Sequence, residues 1–413
     1  MKEQFFGKPF LSSLGILLGS FLLAIPAYYL HVGWLVLVGV AGVFIFLAAR
    51  NPVIALGGVF LELISHPHGY LFFTDVPMHL SLRMTIFLSF FLGYVIYLIQ
   101  TKTFPNCSKF CIMVFLPLIL AVGIGSVRGF FLQEWTTAFQ DGNAYLYLFY
   151  AIPICSLIWN QSARHFFLQA FAAGVVWNIL LSLGILYVFS HFSESFLFEA
   201  YRFLRDIRLA EITQLDSGVY RVFIQSQFFT FVFGLLLIPL SFQLKNKVGT
   251  VRCIVVFAGV VSVMLLSLSR SFWMGWLVAF SILVVLLLRT GYSFRDWSRF
   301  IAVGFSALVL SVVIILCVSL VPFSKQPLGG DELTRTLKTR TQTDVAVSSR
   351  WMLLDPMMKK IQEHPILGNG FGSSVTFISD DPRVRELHPD GQWTTYSMEW
   401  GWLELWLKMG ILG

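Results

Sequence analysis

The chain has 413 residues, of which 57% are hydrophobic and 12% are charged, and its mean hydropathy is +0.76. A soluble domain carries about 25% charged residues, so the composition excludes a soluble globular enzyme, and it is too apolar for a disordered chain. Most of the chain must therefore lie in lipid. The excess of 29 Lys and Arg over 22 Asp and Glu gives a net charge of +7, which indicates membrane topology rather than a nucleic-acid partner.

Eleven segments are apolar enough to be read as membrane spans, each of which needs about 20 mainly apolar residues. They are 11–30, 32–49, 53–66, 84–100, 110–127, 143–160, 166–190, 223–243, 253–268, 272–288 and 300–322. The third, ninth and tenth are short, and a twelfth begins near Glu399 and is cut by the end of the chain. Unbroken apolar runs of this length exclude a β-barrel. We predict an all-α polytopic membrane protein with about 11–12 transmembrane helices.

The distribution of basic residues predicts a cytoplasmic N-terminus. Lys2 and Lys8 precede the first span without a small-residue cleavage site, so this helix is expected to be retained. The inner connections then hold most of the basic residues, nearly without acids, whereas the outer connections 128–142 and 191–222 mix Arg with acidic and aromatic residues. The inner set is Arg50, Lys102, Lys109, Arg164, Lys245, Lys247, Arg252, Arg289, Arg295 and Arg299.

This topology divides the chain into three predicted parts. Residues 1–322 form the transmembrane bundle, 323–398 form a long external loop, and 399–413 begin a last helix that we expect to be truncated. The cysteines fall in spans or on the inner side, which predicts no disulfide framework. They are Cys107, Cys111, Cys155, Cys253 and Cys317. Cys107 and Cys111 have helical spacing, but no further Cys or His completes a zinc set, so we predict no metal site.

The external loop holds two local signals. Asp355-Pro356 is typical of an N-cap followed by Pro at the first helical position, which predicts a short helix from Pro356 to about Glu363 that ends before Pro365. The glycines of 368–372 follow. A nucleotide-binding loop would need a strand before it and a helix after it, whereas here a helix precedes, so a tight turn that lets the backbone approach the membrane bundle is favoured.

Four charged residues lie at or near membrane depth on the predicted outer side: Glu62, Arg128, Arg221 and Arg270. Ionisable groups there are costly and are functional candidates. The alternative for each Arg is an aliphatic stem that lets the charge reach the lipid headgroups, and Glu62 has the alternative of pairing with one of these arginines. Arginine forks bind phosphate oxygens bidentately, which suits a substrate carried on a lipid pyrophosphate.

Three stretches resemble the O-antigen ligase and polymerase superfamily of bacterial envelope glycosyltransferases. They are 266–275, Leu-Ser-Leu-Ser-Arg-Ser-Phe-Trp-Met-Gly; Ser349-Arg350-Trp351 followed by 361–372, which is similar to the family's "Arg … His-Pro-Leu-x-Gly-x-Gly" segment; and 399–413, with Leu-Glu-Leu and a final Gly-Ile-Leu-Gly. Each motif is weak alone, but their order and the topology together are fairly specific.

The resemblance implies a fold, a reaction and a location. A glycan on undecaprenyl pyrophosphate would be transferred, outside the bacterial inner membrane, to an acceptor hydroxyl on lipid A–core oligosaccharide or on the next repeat unit. No nucleotide sugar, metal or other cofactor is implied. By position, Arg221 and Arg270 would hold the pyrophosphate, and Arg350 would anchor the external loop or assist.

The chain departs from the ligases at the expected base. Ligases place a His-Asn pair about a dozen residues before the final Gly motif, and here Met398-Glu399 occupies that register. A buried Glu399 with a raised pKa is one candidate base. His388 is the second, and His364 the third, although its position before Pro365 favours a structural role. The departure weakens the interpretation as a lipopolysaccharide ligase and leaves a polymerase or another glycan ligase at least equally favoured.

Two other classes of protein remain open from the sequence. A transporter or flippase for a lipid-linked or anionic substrate also needs eleven or twelve spans with buried charge. We see no internal repeat of the kind that transporters show. A scaffold of an envelope complex is the third class, and no feature of the sequence favours it.

Overall fold

The computed structural model describes residues 5–74, 80–105, 108–214, 220–243, 247–321, 345–379, 382–398 and 400–413. Helices dominate these ranges. They are α1 Lys8–Tyr29, α2 Gly33–Arg50, α3 Pro52–Ser65, α4 Leu82–Thr101, α5 Lys109–Leu132, α6 Trp135–Gly142, the 3₁₀ helix η1 Asn143–Tyr150, α7 Ala151–Ser156, α8 Gln161–His191, α9 Glu194–Asp206, α10 Gln227–Gln243, α11 Lys247–Ser267, α12 Arg270–Leu288, α13 Phe294–Leu320, α14 Val345–Glu363, α15 Pro382–Leu387, α16 Gly401–Met409 and the 3₁₀ helix η2 Gly410–Leu412.

Eight of the described helices are long and apolar enough to cross a membrane: α1, α2, α4, α5, α8, α11, α12 and α13. The apolar helices α3 and α10 are shorter. Each of these ten coincides with a predicted span, so the all-α polytopic fold is confirmed. Local sequence sets several of the starts, because N-cap side chains accept the first free backbone N–H groups. Asn160 accepts from Ala163 N at 2.8 Å, and Ser293 and Asp296 form a capping box at α13.

The predicted span 143–160 is not one regular helix, so that prediction is corrected. Its first half is the 3₁₀ helix η1, and the six-residue α7 follows. The helical run begins earlier, at Trp135, with α6. Three short helices, from Trp135 to Ser156, therefore stand in place of the one predicted span.

The helix predicted at Pro356 is also corrected. Asp355 is not an N-cap, because α14 runs without interruption from Val345 to Glu363 with Pro356 inside it. The apolar positions Leu353, Met357 and Ile361 repeat every four residues and are all buried, so burial of this stripe sustains the helix across the proline. The predicted end before His364-Pro365 is confirmed.

Three antiparallel two-stranded hairpins, which the sequence did not predict, join helices in the described ranges. They pair β1 Phe73–Thr74 with β2 Leu80–Ser81, β3 Glu211–Gln214 with β4 Tyr220–Phe223, and β5 Val375–Ile378 with β6 Gln392–Thr395. In the second, Thr213 lies opposite Arg221.

The chain folds as two compact units, and the predicted division into a bundle, an external loop and a last helix stays a prediction. Unit 1 comprises Met1–Lys102 and Trp159–Thr336, and unit 2 comprises Thr103–Ile158 and Leu337–Gly413. In unit 1 the long helix α8 is central and packs against α1, α3, α10, α11 and α13. A buried hydrogen-bond network holds α8 in place. Asn178 donates to the carbonyls of Ile64 and Ser226 at 3.1 and 3.3 Å, and Ser226 Oγ donates to Asn178 Oδ1 at 3.0 Å.

Unit 2 is built from α5 to α7, α14, the third hairpin and α16. One core cluster lies under α14 and contains Leu353, Met357, Ile361, Val375, Met398 and Leu407. A smaller one joins Phe371 to Ala121 and Met409. Phe371 is 1% exposed, and it belongs to the glycine-rich segment that the sequence analysis singled out.

Candidate functional site

The two arginines expected at the pyrophosphate lie on neighbouring segments of unit 1. Arg221 is on β4, not at the start of a span as its sequence position suggested, and it is half-buried. Its Nε donates to the carbonyl of Ser267 at 2.9 Å, and its guanidinium lies 5.0 Å from the Phe223 ring centroid. Ser267 is the last residue of α11, where the helix dipole favours a cation. The contact brings Arg221 to the residue three positions before Arg270.

Residues 267–271, which we call the serine turn, connect α11 to α12. Ser269 Oγ and Ser271 Oγ lie 3.1 Å apart. Leu268 has a φ of +44°, in the left-handed region that residues other than glycine rarely adopt. Trp273 Nε1 donates to the carbonyl of Met264 at 2.8 Å, which fastens α12 to α11. Arg270 is the exposed first residue of α12. A helix N-terminus with an arginine on its first residue is suited to bind an anion.

Glu62 is paired with an arginine that the sequence analysis did not consider. The Arg83 guanidinium donates to both Glu62 carboxylate oxygens at 3.1–3.2 Å and to the carbonyls of His66 and Pro67. Gly69, with a φ of +73°, closes over the pair, since a Cβ there would lie 2.4 Å from Arg83 Cβ. The expected pairing of Glu62 is thus observed, but with Arg83, and the pair holds α3 to α4.

Four connections of unit 1 meet at one end of its bundle. The α1–α2 turn and α9 are joined by Tyr28 Oη, which donates to Asp206 at 2.6 Å. The 66–81 connection reaches the same place, because the Arg208 guanidinium stacks 4.3 Å from the Tyr70 ring centroid. Arg221, on β4 between α9 and α10, contacts Ser267 of the serine turn, which is the fourth connection. The predicted topology assigns all four to the external face, and their convergence agrees with one common side.

His68 lies in the 66–81 connection among charged neighbours. Its pKa is lowered from 6.5, first by burial and then by the positive charges of Arg208 and Arg83, which Glu211 opposes. The imidazole is therefore held neutral, because both the loss of solvent and the two guanidinium groups disfavour its cation.

In unit 2, residues 368–372, the glycine turn, lie against α5 as the sequence predicted. Gly368, Gly370 and Gly372 all have positive φ, and a Cβ on Gly370 would lie 2.4 Å from the backbone nitrogen of Gly129. Arg128 Nε donates to the carbonyl of Gly368 at 2.8 Å. Arg128 thus contacts the glycine turn directly. The turn is a close backbone contact, which only glycine allows.

A buried charge cluster supports the glycine turn. Lys408 Nζ donates to Asp141 at 2.6 Å and to Glu404, and we call these three residues the lysine cluster. The second Asp141 oxygen accepts the backbone N–H of Gly372 at 2.7 Å. The cluster lines a cavity of about 620 Å³ in unit 2, with Tyr145 on its wall. It fixes α16 and the glycine turn to the end of α6.

The candidates for the general base remain predictions. Glu399 lies outside the described residues. His388 follows α15, is exposed, and has its ring 5.9 Å from that of Trp393. His364 is also exposed, and its carbonyl accepts the N–H of Gly368 at 2.9 Å, so it takes part in ending α14. Arg350 lies in α14, and its side chain is not among those described.

Sequence analysis missed Arg83 and the lysine cluster. Glu404 and Lys408 had a usable signal, since they are four residues apart within a short apolar segment and oppositely charged. Asp141 had none, because its partners are distant in the chain.

The C-terminal part of the chain matches a known protein family. Residues 254–413 match the family model described as O-antigen ligase. The resemblance inferred from the motifs is confirmed over this range, which contains the serine turn, the glycine turn and two members of the lysine cluster. Neither the curated proteins nor the solved structures contain a match to the chain.

Proposed function

We propose, from the match of residues 254–413 to the O-antigen ligase family model, that the protein transfers a glycan from undecaprenyl pyrophosphate to an acceptor hydroxyl on the external face of the bacterial inner membrane. The observation that carries the proposal is the contact of Arg221 with the serine turn, at which Arg270 begins α12. Two arginines and a helix N-terminus at one turn suit a pyrophosphate.

The reaction assigns these groups to the leaving group. The acceptor oxygen attacks the anomeric carbon of the glycan, and the bond from that carbon to the pyrophosphate oxygen breaks, with the electron pair going to the pyrophosphate. The acceptor hydroxyl proton goes to a general base. Arg221 and Arg270 stabilise the negative charge that grows on the leaving oxygen, which is the position where fixed donors accelerate such a reaction most.

The base is proposed to be Glu399 or His388. A carboxylate accepts this proton efficiently only if its pKa is raised towards the working pH. An imidazole needs no such shift, because its ordinary pKa of about 6.5 is already close to it. Arg350 and Arg128 are proposed as supporting residues, and Arg128 has the described contact to the Gly368 carbonyl in the external segment. His364 ends α14 and is given no chemical role.

The acceptor is proposed to be either lipid A–core oligosaccharide or the growing end of another repeat unit. These options define a ligase and a polymerase respectively. Both use the same donor and the same charge stabilisation.

The test is turnover by the purified full-length protein in lipid nanodiscs. The donor is an undecaprenyl-pyrophosphate-linked oligosaccharide, the acceptors are lipid A–core and a second repeat unit, and the products are identified by mass. Arg270→Ala is expected to lower kcat by about 10²–10³-fold, the cost of removing one donor to a developing oxyanion. Arg221→Ala should do the same or more, because it also leaves the Ser267 carbonyl without this contact.

Arg289→Ala is the matched control, since Arg289 follows the last residue of the same helix and is exposed. It should retain full activity. Product formation unchanged in Arg270→Ala would contradict the proposed role of the serine turn. Movement of the donor across the bilayer of sealed proteoliposomes, without a new glycosidic bond, would instead identify a flippase. Glu399→Gln and His388→Ala, assayed in the same way, distinguish the two bases.

A further inference from the structure

A second, larger cavity lies in unit 1, where the connections of that unit converge. Its volume is about 1300 Å³, and residues of the α1–α2 turn, of the 71–74 segment and of α9 line it. Pockets that bind drug-sized ligands have volumes of about 300–1,000 Å³. The cavity is therefore large enough for a ligand of several rings.

Aromatic side chains form much of its wall. Tyr29 and Trp34 are 50% and 51% exposed, although they flank the tight turn between α1 and α2. Tyr28, Phe72 and Phe73 line the cavity with them. Exposed aromatic faces beside a cavity offer apolar contact area to a ligand at a low cost in side-chain entropy.

The lining residues from α9 and the two residues after it carry charges of both signs. Arg202, Arg205 and Arg208 follow one another at three-residue intervals at the end of α9, and Glu199 and Asp206 lie among them. Asp206 is fixed, because it accepts from Tyr28 Oη at 2.6 Å and from Arg205 Nη2 at 3.2 Å. The wall thus presents guanidinium donors and carboxylate acceptors side by side.

This combination identifies the chemical class of the ligand. A phosphate accepts hydrogen bonds and is repelled by carboxylates, whereas a sugar hydroxyl both donates and accepts. The C–H face of a sugar ring is apolar and can lie on an aromatic ring. We propose that the cavity between the α1–α2 turn and α9 binds an oligosaccharide of two or more sugars, with Trp34 and Tyr29 under the rings and Arg202, Arg205 and Glu199 at the hydroxyls.

The inference rests on the proposed function in one respect: the oligosaccharide is taken to be the glycan part of a substrate. Binding itself is measured without turnover. The probe is a set of reducing oligosaccharides released by mild acid from the surface polysaccharide of the producing organism, titrated into the full-length protein in nanodiscs. Direct binding is followed by calorimetry.

Trp34→Ala and Arg205→Gln should each weaken binding at least tenfold. The Arg205 side chain is 63% exposed and Trp34 is 51% exposed, so neither substitution removes a core side chain and both are expected to leave the fold intact. Trp135→Ala, at a tryptophan of unit 2 that is 65% exposed, and Arg289→Ala are the matched controls and should bind normally. Melting temperatures of all four variants report any loss of folding separately.

Equal affinity in wild type, Trp34→Ala and Arg205→Gln would overturn the proposal, and so would the absence of saccharide binding. If the protein bound added phosphatidylglycerol in a manner that depends on Arg205 and bound no saccharide, the result would overturn the proposal in favour of an anionic lipid. Two results together support both proposals: Arg270→Ala loses turnover but still binds the saccharide, and Trp34→Ala and Arg205→Gln lose saccharide binding. Saccharide binding by a protein that forms no glycosidic bond contradicts the proposed function alone.

Discussion

Removal of the Lys408 charge should destabilise unit 2 by several kcal/mol. The Lys408 side chain is 4% exposed, and its partners Asp141 and Glu404 are 9% and 20% exposed. Lys408→Met leaves two carboxylates close together around a cavity, without a cation. Breaking a buried ion pair by removing one partner costs about 3–5 kcal/mol, because a buried charge is left uncompensated. We expect a loss of this size.

The assay is reversible chemical unfolding in detergent, followed by tryptophan fluorescence. Lys359→Met is the matched control. Lys359 and Asp355 are also an acid–lysine pair four residues apart, at 2.8 Å, but their side chains are 73% and 76% exposed, and exposed pairs contribute little. This control should unfold as wild type does.

A second substitution tests the mechanism of the loss. Asn at position 141 removes one unpaired charge and keeps an oxygen for the Gly372 N–H, so Asp141→Asn in the Lys408→Met protein should restore about 1 kcal/mol or more. A loss below about 1 kcal/mol in Lys408→Met, or no recovery in the double variant, would refute the idea that electrostatic compensation holds the glycine turn.

Three further outcomes are expected. Gly370→Ala should unfold at a markedly lower denaturant concentration than wild type, because its φ of +84° strains an alanine and the new Cβ would lie 2.4 Å from a backbone nitrogen. Gly123→Ala is the control, since nothing lies within 4 Å of its Cβ position. Equal stabilities of the two variants would contradict the close contact. The pKa of His68 is lowered in the folded protein, so the unfolded state binds more protons below about pH 6.5 and stability should fall as the pH decreases from there. In thermal melts, the melting temperature of His68→Gln should depend less steeply on pH than that of wild type. An unchanged pH dependence would show that His68 is not its cause. Glu62→Gln leaves the partly buried Arg83 guanidinium, whose side chain is 17% exposed, with a neutral partner and should lower the melting temperature. Retention of the wild-type value would show that the pair is dispensable.

The sequence located the elements that depend on local composition. Apolar length alone predicts the membrane helices, since a helix in lipid must satisfy its own backbone hydrogen bonds and expose apolar side chains. The glycine turn was predicted as well, because positive φ and close approach are properties of glycine itself. The segment 143–160 was apolar enough to pass for a span, yet hydrophobicity does not distinguish a 3₁₀ from an α geometry.

Partners across the chain were decided by the tertiary structure. Arg221 was recognised as a candidate from its charge, but its contact with Ser267 spans 46 residues. Asp141 and Lys408 are 267 residues apart, and neither position predicts the other, because an ion pair depends on which helix ends the fold brings within about 4 Å. Pro356 shows the converse: local propensity predicted a break, and burial of one apolar stripe outweighed it.

The sequence by itself therefore determined that the chain lies in a membrane, where its helices are, and which family its C-terminal part resembles. All three follow from composition and short motifs, which are properties of neighbouring residues. Only the tertiary structure decided that Arg221 contacts the serine turn, that Glu62 pairs with Arg83, and that α9 and the α1–α2 turn line one large open cavity. Those depend on helix packing, which sets distances between residues that are far apart in the chain.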